Sequence, residues 1–230
     1  MNPVQIFFEV VAFLFAISVH ESAHAWTANR CGDPTARMLG RVTLNPIKHI
    51  DLWGTIIFPI ICLVTHFPLI GWAKPTPVDP HNMRNPVRDD ILTAVAGPVS
   101  NLLVAALCVI GMAGVSLSGQ YGRQVVQFMA QTYGGAVGML SGNPSILLPI
   151  TGMLYWMMFI NILLAAFNLI PVPPLDGSHV LRHLMPEGLR RAYDTFGIIA
   201  LIALFIVGGP VIGAFMSPFL NFFTNILLRL

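Results

Sequence analysis

Two histidines and a glutamate stand together in His20-Glu21-Ser22-Ala23-His24, at the end of an apolar run that starts near the N-terminus. On a helix, residues i and i+4 share a face, with Cβ atoms about 5–6 Å apart. That spacing lets two imidazoles bind one zinc ion at roughly 2.0–2.1 Å each. Glu21, beside the first imidazole, is then placed to take a proton from water instead of binding the metal. Three ionisable side chains on a helix otherwise suited to lipid require a task, because charge at membrane depth is costly. These residues predict hydrolytic zinc chemistry within a membrane.

Composition points to the same setting. Hydrophobic residues make up 55% of the 230-residue chain, charged residues 10%, and mean hydropathy is +0.74. A soluble domain carries about 25% charged residues, so this chain cannot cover a water-facing surface. Its length predicts one domain over residues 1–230, with little room for a separate soluble module. A formal charge of +2 gives no reason to expect a nucleic-acid partner. Cys31, Cys62 and Cys108 show no Cys-x-x-Cys spacing and are expected as free thiols. Residues 1–8 lack Lys and Arg, so the first apolar run is expected to be a retained span and not a signal peptide.

The elements that must position the motif follow from the apolar stretches Val4–Ala28, Leu52–Ile70, Ile91–Leu117, Val125–Leu140, Ile146–Ile170 and Phe196–Leu228. The first, third and fifth meet the ~20 residues that a crossing needs. Pro59 and Pro68 interrupt the second. Gln127, Gln131, Gly134, Gly135 and Gly138 make the fourth a poor lipid-facing span, and Gly208-Gly209-Pro210 breaks the last. The prediction is an all-α polytopic membrane protein, a bundle of about 4–6 helices, with a re-entrant or broken segment near 52–70. If that segment returns to the side it came from, ten of the 12 basic residues gather on one side: Arg30, Arg37, Arg41, Lys48, Lys74, Arg84, Arg88, Arg182, Arg190 and Arg191. The positive-inside rule makes that side cytoplasmic. The first and fifth stretches then run the same way, and their C-terminal ends meet there.

A catalytic zinc site needs a third protein ligand and an open position. Asp176 stands out, in Asn168-Leu-Ile-Pro-Val-Pro-Pro-Leu-Asp-Gly177, where prolines break the fifth stretch as it reaches the same end as His20 and His24. Glu187 is the alternative third ligand.

Here the sequence resembles the site-2 protease family of intramembrane zinc metalloproteases, in its compact bacterial form without PDZ or CBS modules. The resemblance rests on His20-Glu-x-x-His24, Gly97-Pro-x-Ser-Asn101 and Asn168-x-x-Pro-x-x-Pro-Leu-Asp176-Gly177. Thr43-Leu-Asn-Pro-x-x-His49-x-Asp51 and Gly71-Trp-Ala-Lys-Pro-x-Pro-Val78 add to it. It implies one zinc ion per chain on His20, His24 and Asp176, with Glu21 as general base. It also implies Asn168 as a donor to substrate backbone or a developing oxyanion, and a transmembrane protein as substrate. A multi-pass location in the cell membrane, with the site facing the cytoplasm, goes with these.

The remaining polar residues have two readings each. His49, Asp51 and His179 either orient zinc ligands or cap elements at the membrane surface. His66, His81 and His183 are expected at the interface, and so is Glu9, which lies ~16 Å from His20 along one helix face. Gly97 is expected to pack closely against the ligand helix. Lys74–Pro80 is either an extended edge for an unwound substrate or a plain connector. A metal-ion transporter is the rival from another functional class, since some carriers also place such histidine motifs in a membrane helix.

Overall fold

The computed structural model describes residues 3–65, 71–132, 134, 145–207 and 209–230. Helix α1 runs over Pro3–Cys31 and a single turn, α2, over Thr35–Met38. Asp51 then starts the next helical stretch by accepting hydrogen bonds from Trp53 N (3.0 Å) and Gly54 N (2.7 Å). Wide helical turns over Leu52–Ile57 continue directly into α3, Phe58–Val64.

Six and seven residues are too few to cross, and the chain turns back. Trp72 N donates to Gly54 O at 3.1 Å and Lys74 N to His49 O at 2.8 Å. The Thr55 hydroxyl donates to Trp72 O at 2.8 Å. Residues 72–74 therefore lie level with residues 49–55, and the apolar segment leaves on the side where it entered. This is the re-entrant arrangement. His66 and Pro68 lie outside the described residues.

Helix α4 covers Pro86–Leu117, with proline at its first position, where the missing N–H costs nothing. It is followed by α5 (Gln120–Gln131), α6 (Leu147–Asn168), α7 (Gly177–Leu184), α8 (Glu187–Val207) and α9 (Gly209–Arg229). Among the described residues, α1, α4 and α6 are long and apolar enough to cross a membrane. They correspond to the three stretches expected to do so. The fourth stretch differs: its start lies in α5, an amphipathic helix that begins earlier, at Gln120, and buries Val125, Val126 and Met129. Residues 133 and 135–140 of that stretch, and Gly208 of the last, lie outside the described residues.

Side-chain contacts fix the helix directions. Ala16 and His20 of α1 face Asn101 of α4, while His24 faces Thr93. The two helices are therefore antiparallel. Trp156 and Ile160 of α6 pack on Phe8, Ala12 and Ala16 of α1, and Asp176, just beyond α6, reaches His20 and His24. Thus α6 runs parallel to α1. A second core, of Met112, Val126, Met129, Tyr155, Met158, Phe223 and Leu227, joins α4, α5, α6 and α9. Glu9, expected at the interface, is packed within the bundle. It sits well inside a helix that already begins at Pro3, is only 6% exposed, and accepts from Gln5 Nε2 at 2.8 Å.

Candidate metal centre

The last turns of α1 point His20 and His24 into the bundle, where both are buried. The third group arrives by a break in the chain. Pro171, Pro173 and Pro174 cannot continue α6, and the chain folds back over its end. A Cβ on Gly177 would lie 2.6 Å from the carbonyl carbon of Leu169 and 2.8 Å from Ile170 O, so this fold-back needs glycine. It leaves Asp176 Oδ2 3.1 Å from His20 Nε2 and 3.4 Å from His24 Nε2.

These atoms form the cluster among the described residues able to hold a metal ion, with all three ligand atoms within 4.8 Å of one another. Four ligands at 2.0–2.1 Å in a tetrahedron are ~3.3 Å apart, so these two spacings already match the edges of a zinc polyhedron. Ring orientation agrees with this. His24 Nδ1 is 2.7 Å from Thr93 O, a carbonyl that can only accept, and His20 Nδ1 is 2.6 Å from Asn101 Oδ1. Each ring donates from Nδ1 and so presents the unprotonated Nε2 to the cluster. Asp176 Oδ2 is correspondingly buried and accepts no hydrogen bond. Two nitrogen lone pairs and a carboxylate oxygen converging on one point repel one another unless a cation lies among them. The donor set fits zinc.

Gly97 makes room for this arrangement. A Cβ there would sit 2.7 Å from His20 Nε2 and closer still to His24 Nε2, so α4 approaches both rings through a missing side chain. The close packing expected of Gly97 is made against the imidazoles themselves.

Glu21 points to a different neighbour. Its Oε2 accepts from Thr76 N at 2.8 Å, and its main-chain oxygen accepts from the Thr76 hydroxyl at 3.1 Å. Thr76 lies between Pro75 and Pro77, which have no N–H. The segment is held from below by Arg41, which donates to Lys48 O, Lys74 O and, at 2.8 Å, Pro75 O. It is anchored beyond Thr76 by Asp79 N, which donates to Asp33 Oδ2 at 2.7 Å. Burial alone would raise the Asp33 carboxyl, but the hydrogen bonds from Thr35, Asp79 N and Asn82 outweigh it and hold it below its ordinary value.

The other site candidates are not brought to hydrogen bonds with the three converging groups. Asn168 Nδ2 donates to Leu164 O at 2.9 Å within α6. His49 is fully buried and its Nε2 donates to Thr43 O at 2.8 Å, tying down the loop that supports residue 74. Asp51 acts as the helix cap described above. His179 Nδ1 lies 3.1 Å, and His183 Nε2 2.7 Å, from Asp90 Oδ2, so both rings pin α7 to α4. The bond to Asp90 pushes the His179 pKa up against the opposing effect of burial. His183, expected at the interface, is thus engaged in the bundle, whereas His81 is exposed. Thr76, Thr93 and Asn161 received no role from the sequence. The sole signal among them is the lone N–H between two prolines at Thr76.

The model of peptidase family M50 matches residues 8–208. The chain is 34% identical to the Bacillus subtilis (strain 168) protein YwhC over 224 residues, covering 96% of this chain and 89% of that one. It is 26% identical to Rip2 of Mycolicibacterium smegmatis over 213 residues, covering 90% and 70% respectively. Both carry the name "Putative zinc metalloprotease". No solved structure matches the chain. A family model spanning nearly the whole sequence, over an all-α fold that converges two histidines and an aspartate, leads to one conclusion: the chain belongs to peptidase family M50 and is a metalloprotease.

Proposed function

We propose that this protein is an intramembrane zinc endopeptidase that hydrolyses peptide bonds in or near transmembrane segments of other proteins. The observation that carries the reading is the convergence of His20 Nε2, His24 Nε2 and Asp176 Oδ2 at one end of three span-length helices. These residues hold one zinc ion per chain. Bound there, zinc supplies Lewis acidity toward the scissile carbonyl and toward water. Glu21 takes the proton from the attacking water and passes it to the departing amine. Its Oε2 is kept in place by Thr76 N–H, and Oε1 is left for the proton. Asn168 spends one of its two amide protons on Leu164 O and has the other for substrate.

A helical substrate protects its peptide bonds by its own hydrogen bonds, so it must unwind locally before it is cut. The extended segment at 72–78 is poorly suited to guide it by strand pairing. Lys74 N and Thr76 N are engaged, Lys74 O and Pro75 O are covered by Arg41, and Pro75 and Pro77 lack donors. The ten basic residues that a re-entrant segment would gather on the side of the site support a cell-membrane location with the site facing the cytoplasm. A transporter would need metal-holding clusters along its path. Among the described residues there is one such cluster, at one end.

Glu21→Gln tests the reading. It should abolish cleavage of a transmembrane substrate by the purified protein while zinc content stays at the wild-type level. Membranes from cells carrying this variant should accumulate uncut substrates. Normal turnover by the variant overturns the mechanism.

A further inference from the structure

His20 and His24 present the same nitrogen to the metal centre, but their orientation is secured in different ways. Behind His24 stands Thr93 O, a backbone carbonyl, which accepts and never donates. Behind His20 stands Asn101, a side-chain amide, which offers an acceptor or a donor depending on which way it is turned. If Asn101 presented Nδ2, the His20 proton would move to Nε2 and the ring would cease to be a ligand.

Two backbone carbonyls decide the matter from a distance. Asn161 Nδ2 lies 2.7 Å from Met157 O, so the other end of that amide, Oδ1, must face Asn101. Asn101 Nδ2 lies 2.7 Å from Asn161 Oδ1 and 3.2 Å from Ala16 O, both acceptors. Asn101 Oδ1 is therefore left facing His20 Nδ1 at 2.6 Å. Every amide orientation follows from chemistry, since a carbonyl cannot donate to a carbonyl. Asn101 and Asn161 are both fully buried, so no water replaces a lost partner cheaply.

We propose that Asn161 is a positioning residue for the metal centre: through Asn101 it fixes the His20 proton on Nδ1 and so keeps Nε2 available to zinc. The inference rests on His20 being a zinc ligand. It extends that reading to a residue two side chains removed from the metal, on a third helix. Losing the Asn161 acceptor leaves Asn101 with Ala16 O alone, and the amide can turn.

The test uses full-length protein in detergent, labelled with 15N-histidine. In the zinc-free wild type, at a pH where the rings are neutral, the His20 signal should report a proton on Nδ1. Asn161→Leu should show a mixture of the two tautomers and bind zinc ~10–100-fold more weakly in competition with a chelator. Asn161→Asp is the conservative variant. Its buried carboxyl, carrying one proton, can donate to Met157 O and accept from Asn101, so zinc affinity should stay close to wild type. A His20 proton on Nε2 in the wild type overturns the proposal without any variant. So does unchanged zinc affinity in Asn161→Leu, or an equal loss in the Leu and Asp variants, which would mean packing alone. If the wild type takes up no zinc, the ligand reading itself falls. If it takes up zinc and Asn161→Leu does so equally well, the relay alone falls.

Discussion

Gly97→Ala puts one methyl group between α4 and the two imidazoles proposed to bind zinc. The new Cβ would lie 2.6 Å from His20 Cε1, 2.7 Å from His20 Nε2, and nearer still to His24 Nε2. Ordinary contact begins near 3.5 Å, so the rings must retreat by about 0.8 Å at His20 and by more at His24. Metal–ligand distances tolerate only about 0.2 Å. The rings cannot swing away freely, because Asn101 and Thr93 grip them at 2.6 and 2.7 Å. Breaking one such buried bond costs about 1–3 kcal/mol. Zinc affinity should therefore fall about 10-fold or more, and cleavage about 100-fold, the usual penalty for a 1 Å misplacement. An opposing effect makes the test sharper: alanine is about 1 kcal/mol better than glycine within a helix. Gly114→Ala serves as the control, being on the same helix with nothing within 4 Å of its added Cβ. It should keep wild-type zinc affinity and be no less stable. Zinc content, chelator competition and thermal unfolding of the metal-free proteins decide the outcome. A Gly97→Ala protein that binds zinc as the wild type does refutes the argument that α4 packs on rings that hold the metal.

The third ligand can be assigned by comparing Asp176→Ala with Glu187→Ala. Asp176 faces both histidines whereas Glu187 is exposed at the start of α8; the first substitution should strip zinc and the second should leave its content unchanged. At Thr76, Thr76→Val keeps the N–H that holds Glu21 and should act mildly. Thr76→Pro removes it, and a hydrogen bond to a charged group contributes about 1.5–3 kcal/mol. For Thr76→Pro, kcat should fall ~10–100-fold at unchanged zinc content, and a kcat equal to that of Thr76→Val would rule out the positioning of Glu21.

What could be read from the sequence, and what could not, divides along a physical line. Proximity within one helix is local, so His20, Glu21 and His24 were legible from a spacing of four residues. Asp176 was legible because prolines end α6 wherever they fall, and the re-entrant turn because charges collect on one side. The partners behind the two imidazoles were not legible. Thr93 contributes a backbone oxygen, which any residue would supply, and Asn161 acts across 60 residues through another amide. His179 and His183 show why this matters. They have the same i, i+4 spacing and also converge on an aspartate, Asp90. There the two rings use different nitrogens, Nδ1 and Nε2, and the carboxylate accepts a hydrogen bond from each, giving a closed set. At His20 and His24 both Nδ1 atoms are already committed to acceptors on α4, so the protons face away and the lone pairs face inward. Spacing brings two imidazoles together in either case. The helix packed behind them determines whether they tie two helices together or turn their lone pairs inward, as a metal site requires.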